Sequence, residues 1–528
     1  MSKLQSIWTL GMLACALSGA WAQDSTTPPT SSSGAEPQAG QQAGQQTAPQ
    51  EPVPAYGQEN VPPPVSENPP LSGLDLPSLE PHAAPLSYLQ PGATVSESAD
   101  SNVAGAPGAG SVRSVSRALG SLLLERLWSH YDLAMDYVGG AAYYNVGGVG
   151  FRTLQQMDVD QKVTWKRGQL SLRDSFSYLP EGNFGGSYGS IGSQGIASLG
   201  NSAFGSFWGG SSLGSLGLAP RILNVSLADI SENLTPKSAV TAAGGYAFTH
   251  FYGNDVSSGA PFLGSSQISA QVGYNRLLSA HTQIAMVYGY QGFDFNAFGS
   301  TFHSHVIQGM YGHRISGRMD LLIGAGPQFT RIGLPCMFPD FLAGKPQCSL
   351  NGSGQVVGTI PDLRIGVAGQ VRLRYKFPRT SVDLKYERFL TSGSGLFAGS
   401  QSDIVSLSAN RPLSRVWTGT ADIGYSRNSR LQSLSPTQQA TCVEPNQPNP
   451  GKLPFCPGVD ANTYSYGFAG VALQRAFGHD FHGFVSYQFN ELSFDHSYCA
   501  GLPVCSRIGN RHVVSFGLDW TPRPIRID

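Results

Sequence analysis

Residues 272–290 read VGYNRLLSAHTQIAMVYGY: apolar and polar residues alternate, a short polar turn intervenes, and the alternation resumes. The same unit recurs in GMYGHRISGRMDLLIGAGPQF (309–329), LRYKFPRTSVDLKY (373–386) and LSANRPLSRVWTGTADIGY (407–425). Successive side chains of a strand point to opposite faces, so such a segment has one apolar and one polar face. Repeated from about residue 150 to the C-terminus and rich in Tyr, Phe and Gly, this is the pattern of a transmembrane β-barrel, apolar toward lipid and polar toward the lumen.

The start of the chain agrees. Lys3 precedes an apolar run over 7–17, and Ala20-Trp21-Ala22 forms an A-x-A cleavage site. Residues 1–22 therefore read as a signal peptide, with mature chain from Gln23. Cys15 opens a second reading, a lipoprotein cysteine, although Met12 stands where that signal favours Leu. Beyond the leader no apolar run reaches the ~18 residues of a membrane helix. A secreted chain without one spans a bilayer only as a closed barrel.

Charged residues make up 13% of the chain and Gly accounts for 65 of 528 residues. A soluble domain carries nearer a quarter of its residues charged. The net charge of −1 hides a split. Residues 23–111 hold nine acidic residues and no Lys or Arg, while 112–528 hold 25 acidic and 32 basic, a net of +7. That excess is too dilute and too dispersed for a nucleic-acid partner.

Three parts follow the leader. Residues 23–111 are rich in Pro, Gln, Ser, Gly and Ala and carry the small repeat QAGQQAGQQ (38–46). This composition is expected to stay disordered, as a periplasmic spacer or as a tether for a periplasmic or cell-wall partner. Over 112–130, Val115, Leu119, Leu122, Leu123 and Leu127 recur at intervals of three and four, while Arg113, Arg117, Glu125 and Arg126 lie mostly elsewhere. The spacing predicts a short amphipathic helix, at the periplasmic rim or in the lumen. Residues 131–520 are the expected barrel, followed by a tail over 521–528.

Sixteen strands are expected between 131 and 520, or 14 if a terminal strand is misread. Short connections (166–168, 316–318, 378–379, 478–480) alternate with long ones (180–220, 332–362, 428–462, 492–510), as in single-chain bacterial barrels. An even count puts both termini on the short-turn, periplasmic side. Faces are clear on two strands. Leu363, Ile365, Val367, Val371, Leu373, Tyr375 and Phe377 share one face, against Arg364, Gln370, Arg372, Arg374 and Lys376 on the other. Next, Val382, Leu384 and Tyr386 alternate with Asp383, Lys385 and Glu387, and a tight turn at 378–379 places Arg374 opposite Asp383. A water-filled lumen accepts such a charged face. Aromatics near strand ends (Tyr375, Phe377, Tyr425, Tyr487, Phe489, Trp520) suit interfacial girdles.

Apart from Cys15, six cysteines fall as three sequential pairs, each inside one long connection: Cys336 with Cys348, Cys442 with Cys456, and Cys499 with Cys505. Six cysteines permit 15 connectivities. Only this local set needs no contact between loops, and it implies an oxidising compartment. No C-x-x-C or Cys/His cluster at metal spacing accompanies them, so neither metal nor other cofactor is expected.

The last strand, VVSFGLDW (513–520), with Phe516, Leu518 and Trp520 on one face, resembles the aromatic-ended strand that barrel-assembly machinery recognises in Gram-negative outer-membrane proteins. It departs from many of them in the tail TPRPIRID. FSYLPEGNFG (176–185), LTPKSAVTAAGGY (234–246) and IGAGPQF (323–329) are similar to large outer-membrane barrels, porin-like or accompanying exopolysaccharide export. The resemblance implies an outer-membrane location and transfers no functional residue.

Catalytic signals are weak, and the chain does not read as an enzyme. Gly210-Ser211-Ser212-Leu213-Gly214 matches G-x-S-x-G but lacks a strand-to-helix elbow. His303 and His305 have no serine or carboxylate fixed beside them by sequence, His313 adds no partner, and His479 and His482 flank a short periplasmic turn, the wrong end for surface proteolysis. The loop 180–220, with twelve glycines and five aromatics, is expected as an exposed loop or a constriction folded into the lumen. The leading expectation is a pore for small solutes, with Arg364, Arg372, Arg374, Lys376, Asp383, Lys385 and Glu387 setting selectivity. A non-conducting surface barrel that binds through stapled loops and a component of polysaccharide export are the alternatives. The partners expected are outer-membrane lipid, the assembly machinery, and small solutes or oligosaccharides.

Overall fold

The alternating segments become strands that pair only with neighbours. The computed structural model describes residues 71, 87–103, 110–146, 149–181, 218–252, 264–295, 300–336, 347–350, 352, 356–431, 461–496 and 506–527. The leader, most of the 23–111 segment, residues 182–217 with the G-x-S-x-G match, and Cys442, Cys456, Cys499 and Cys505 lie outside the described residues.

The first strands are β1 (Tyr88–Asp100), β2 (Arg113–Leu127), β3 (Tyr131–Tyr144), β4 (Gly150–Trp165), β5 (Gly168–Glu181), β6 (Leu218–Thr235) and β7 (Ser238–Phe251). Then come β8 (Ser265–Ser279), β9 (Thr282–Phe295), β10 (Ser300–Ser316) and β11 (Met319–Pro335), and a two-residue hairpin, β12 (Ser349–Leu350) with β13 (Val356–Val357). The rest are β14 (Thr359–Lys376), β15 (Ser381–Thr391), β16 (Ser400–Pro412), β17 (Trp417–Arg430), β18 (Thr463–Phe477), β19 (Phe481–Phe494), β20 (Ile508–Trp520) and β21 (Ile525–Arg526).

Setting aside the β12–β13 hairpin and β21, eighteen strands pair antiparallel in chain order, and β1 pairs with β20 to close the barrel. Closure removes every free strand edge, the condition for placing a sheet in lipid. Short turns and long connections alternate around the barrel, and β1 begins where β20 ends, at the short-turn end. Three short turns follow a register shift in the preceding strand, at Asn233/Thr235, Leu277/Ser279 and Arg314/Ser316. Each is a local bulge that tightens the twist into the turn.

The outward face carries the apolar residues, including Ile268, Met286, Ile365, Ile423 and Val514. Rings gather at its two ends. Trp128, Trp165, Phe377, Trp417, Phe481 and Trp520 lie at the short-turn end, and Tyr143, Phe151, Tyr425 and Tyr487 toward the other. Arg126 stacks 4.8 Å over Trp128, and Arg475 lies 5.4 Å over Trp417 and 5.1 Å over Phe477. A basic tip beside an aromatic ring is how a lipid-facing belt meets the headgroups. Outward carboxylates are partnered across strands: Asp174 accepts hydrogen bonds from Asn224 (3.1 Å) and Ser226 (2.5 Å), and Asp403 accepts one from Tyr386 (2.9 Å).

Two sequence expectations are corrected. The 112–130 segment is strand β2, not a helix, and among the described residues no α-helix occurs. In β2 the odd-numbered residues point inward, so Val115, Arg117, Leu119 and Glu125 share one buried face, while Ala118, Gly120, Leu122 and Leu124 face out. The leucine run fits periods of 2 and 3.6 alike, and the flanking barrel decides. The second correction is the strand count, eighteen rather than 16. Both missed strands precede residue 131, and β1 lies inside the segment expected to be disordered. Gln90, Thr94, Ser96, Ser98 and Asp100 face in, and Leu89, Ala93, Val95 and Ala99 face out. A strand whose inner face lines a polar bore needs little apolar bulk, so its composition resembles that of a disordered segment.

Cys336 and Cys348 are joined by a disulfide between β11 and the β12–β13 hairpin. The Cys336 N–H donates to the Gly358 carbonyl at 3.0 Å. Gly358 has φ +125°, and a Cβ there would run into the Gln347 carbonyl, so only glycine fits this base of the loop. Closing the 13-residue loop between these cysteines stabilises it by about 3 kcal/mol in the chain-entropy model. Reduction is expected to open the 336–358 connection to protease while β-sheet circular dichroism stays unchanged.

Candidate functional site

The inner face of β14 and β15 carries a charged row. Arg364, Gln370, Arg372, Arg374 and Lys376 alternate with the outward apolar residues of β14, and Asp383, Lys385 and Glu387 do so on β15. The register sets Arg374 opposite Asp383, Arg372 opposite Lys385 and Gln370 opposite Glu387. Arg372 reaches Asp383 at 2.8 Å and Arg374 reaches the same oxygen at 3.5 Å, so one carboxylate serves two guanidinium groups. Lys385 pairs with Glu387 at 2.6 Å, and Arg364 with Asp362 at 3.3 Å. Five basic and three acidic residues leave this wall at +2.

Across the bore stands a wall of opposite sign that the sequence reading missed. Glu125 on β2, Asp132 and Asp136 on β3, Asp158 and Asp160 on β4, and Asp229 on β6 face inward, with Lys162 on β4 and Arg173 on β5. Arg173 lies 3.3 Å from Asp160 and 3.9 Å from Asp229. In the short-turn half of this wall six acidic and two basic residues leave −4, while nearer the long connections Arg117, Arg152 and Arg221 also face in. Its signal in the sequence is DVDQK (158–162), whose charges recur at every second residue. β4 and β14 stand eight strands apart one way round and ten the other, on nearly opposite walls. Eighteen strands ~4.8 Å apart and tilted ~40° enclose a barrel roughly 36 Å across between backbones.

Between the charged walls the lining is rich in amides and hydroxyls. Gln267 donates to Ser269 at 2.7 Å and Gln328 to Ser304 at 3.1 Å, all four buried. Toward the long connections the inner face turns aromatic, with Phe293, Phe295 and Phe302 in one buried cluster and Phe397, Tyr464, Phe468 and Phe494 in another.

The histidines weighed as catalytic groups are placed otherwise. His303 and His305 face outward, where each Nδ1 bonds a tyrosine hydroxyl, Tyr290 at 2.9 Å and Tyr288 at 2.8 Å. His313 meets Thr282 at 3.0 Å, and His482 meets Thr521 at 3.3 Å. Among the described residues no three His, Cys, Asp or Glu side chains gather as a metal site.

No family model and no curated protein matches the chain. Solved structures similar to it include Pseudomonas aeruginosa OccK2 (OpdF), 10% identical over 82% of this chain and 98% of that one, with a TM-score of 0.38. A BenF-like porin from Pseudomonas fluorescens Pf-5 is 9% identical over 83% and 99%, with a TM-score of 0.36. The ferric-catecholate import receptor Fiu from E. coli K12 is 7% identical over 81% of each chain, with a TM-score of 0.38. Likeness at this level assigns no solute.

Proposed function

We propose that the chain is a porin-like outer-membrane channel for passive diffusion of small charged or dipolar solutes. The observation that carries this reading is the pair of opposed walls, +2 on β14–β15 and −4 over the short-turn half of β2–β6, facing one another inside a closed barrel. Opposite charges across a water-filled bore set up a transverse field, which orients a solute whose own charges are separated and lets each end slide along the wall of opposite sign. Arg372 and Arg374 share the single carboxylate of Asp383, so the three groups together present a net positive charge to a passing anion. The short-turn end faces the periplasm in this reading, and outer-membrane lipid surrounds the apolar band. The assembly machinery engages Phe516, Leu518 and Trp520 on the last strand.

Single-channel recording in a planar bilayer tests the reading. Discrete steps are expected from the purified protein. Changing Arg372→Gln together with Arg374→Gln takes the basic wall from +2 to 0 and is expected to lower the anion-to-cation permeability ratio by roughly two- to tenfold. An unchanged reversal potential in a conducting variant rejects the row as the selectivity element. Silence from a folded barrel rejects the channel, and favours a surface-binding or polysaccharide-export role.

A further inference from the structure

Toward the long connections, the outer face of β9, β10 and β11 carries a row of rings that ends on an arginine. Tyr288 Oη lies 2.8 Å from His305 Nδ1 and Tyr290 Oη 2.9 Å from His303 Nδ1, and the Tyr290 and His305 rings pack at a centroid distance of 5.3 Å. The register sets His303 opposite Arg331 on β11, so these two side chains are neighbours on one face. Gly292, opposite His303, leaves room for the pair: a Cβ there would stand 3.0 Å from Tyr290 Oη and 3.5 Å from His303 Nδ1. With a tyrosine hydroxyl donating to Nδ1, each imidazole carries its proton on Nε2, which leaves a donor on each exposed ring.

The height of this cluster decides what it meets. His303 stands 13 positions before the end of β10 at Ser316, and Arg331 stands 12 positions after the start of β11 at Met319. A strand that rises ~3.4 Å per residue and tilts ~40° climbs about 2.6 Å per position, which sets the cluster roughly 30 Å from the short turn. The apolar band of such a barrel is ~25 Å tall, so the cluster lies just past its far edge, at the level of lipid headgroups. Phe329 and Ile365, opposite one another and exposed, lie on the band side of it. Charge sets Arg331 apart from its surroundings. Arg388, another outward arginine, is held by Asp403 at 3.4 Å. Among the described residues no carboxylate pairs with Arg331, and Asp294, the outward acid of β9, stands one pair farther toward the long connections, opposite Thr301.

We propose that Arg331, His303 and His305 form a binding site for a phosphorylated lipid headgroup of the outer leaflet. Arg331 supplies a planar fork of donors that matches two phosphate oxygens, and the histidine Nε2 atoms add donors beside it. Phe329 and Ile365 receive the first carbons of the acyl chains. The site lies on the lipid side of the wall and does not require conduction. It rests only on the orientation given above, with the short-turn end toward the periplasm.

Native mass spectrometry of the full mature protein, delipidated in detergent and then given lipid A carrying both phosphates, tests the site. Heat-modifiable migration selects the folded preparations to compare. Arg331→Gln combined with His303→Gln and His305→Gln is expected to lower the lipid-bound fraction by roughly tenfold, the worth of one charge-assisted hydrogen bond, with Arg331→Gln alone giving most of that loss. Arg388→Gln, which removes a charge already paired, is expected to change it little. Lipid A stripped of its phosphates should bind the unaltered protein and the triple variant equally. Equal binding of phosphorylated lipid A by those two proteins overturns the site. An equal loss in Arg388→Gln overturns it as well, because diffuse surface charge then explains the binding. Full displacement of lipid A by inorganic phosphate, or tighter retention of phosphatidylglycerol than of lipid A, overturns the outer-leaflet lipid as the ligand. Channel steps of the unaltered protein and the triple variant are expected to match, so silence from both beside selective lipid binding rejects the channel and leaves the site standing.

Discussion

A chain that begins at residue 112 is expected to form no barrel, whereas one that begins at residue 87 should fold like the mature protein. The difference is β1. It pairs with β2 over thirteen positions, Tyr88↔Glu125 to Asp100↔Arg113, and with β20 over eight, Ala93↔Trp520 to Asp100↔Val513. Without it the barrel cannot close on the remaining strands by a simple contraction. β2 and β20 both run antiparallel to β1, so they run parallel to each other and lack the ladder that the other pairs use. Two edges would then lie open in lipid, where each unpaired backbone group costs several kcal/mol. Heat-modifiable migration on a gel after refolding into detergent or vesicles reads the outcome. A compact, heat-modifiable band from the chain beginning at 112 would show that β1 is dispensable.

The second large effect lies at the same seam. Asp100 on β1 and Arg511 on β20 form an ion pair in which Arg511 Nε reaches Asp100 Oδ2 at 2.9 Å, with side-chain exposures of 0% for Asp100 and 3% for Arg511. Asp100 also accepts the Asn102 N–H at 2.9 Å. Removing one partner strands a buried charge, and such losses run to about 3–5 kcal/mol. Arg511→Leu is therefore expected to lower the thermal midpoint of β-sheet loss clearly. Combining it with Asp100→Leu should recover much of the loss, since a buried pair replaced by apolar residues is often close to neutral. The double-mutant cycle measures the coupling, and additive losses would mean that the two charges do not stabilise one another. Lower on the seam, Thr94 donates to Asp519 at 2.7 Å, and β21 pairs Leu89 with Ile525, so the closure is held along its length.

The sequence made most of the barrel legible because one physical demand repeats on every strand. Residues 363–377 have lipid on one side and water on the other, and alternation records both. The same demand hid β1 and β2. A strand made of Thr94, Ser96, Ser98 and Asp100 against Ala93, Val95 and Ala99 satisfies it with small residues, and composition alone does not separate these from a linker. In β2 three consecutive leucines blur the period. The basic row was readable from its own strand, but its partners were not. That Arg372 reaches Asp383 more closely than the directly opposed Arg374 depends on side-chain geometry that register does not fix. The acidic wall needed only the alternation of Asp158, Asp160 and Lys162. The contact of Leu71 with Asn275, 204 positions away, had no local signal, because a single leucine in a proline-rich stretch does not announce its partner.

The seam also dictates an order of events during biogenesis. Thr94 and Asp519 are 425 residues apart, and bringing chain positions so distant together costs about 5 kcal/mol in loop-closure entropy before any contact rewards it. Every other strand pair is joined through a hairpin or a single connection and can form as the chain emerges. The β1–β20 ladder cannot, so both terminal strands wait with open, aggregation-prone edges until the last strand has been made. Loss of the last strand would leave β1 and β19 with unpaired edges, so the seam acts as a check that both ends of the barrel have been made.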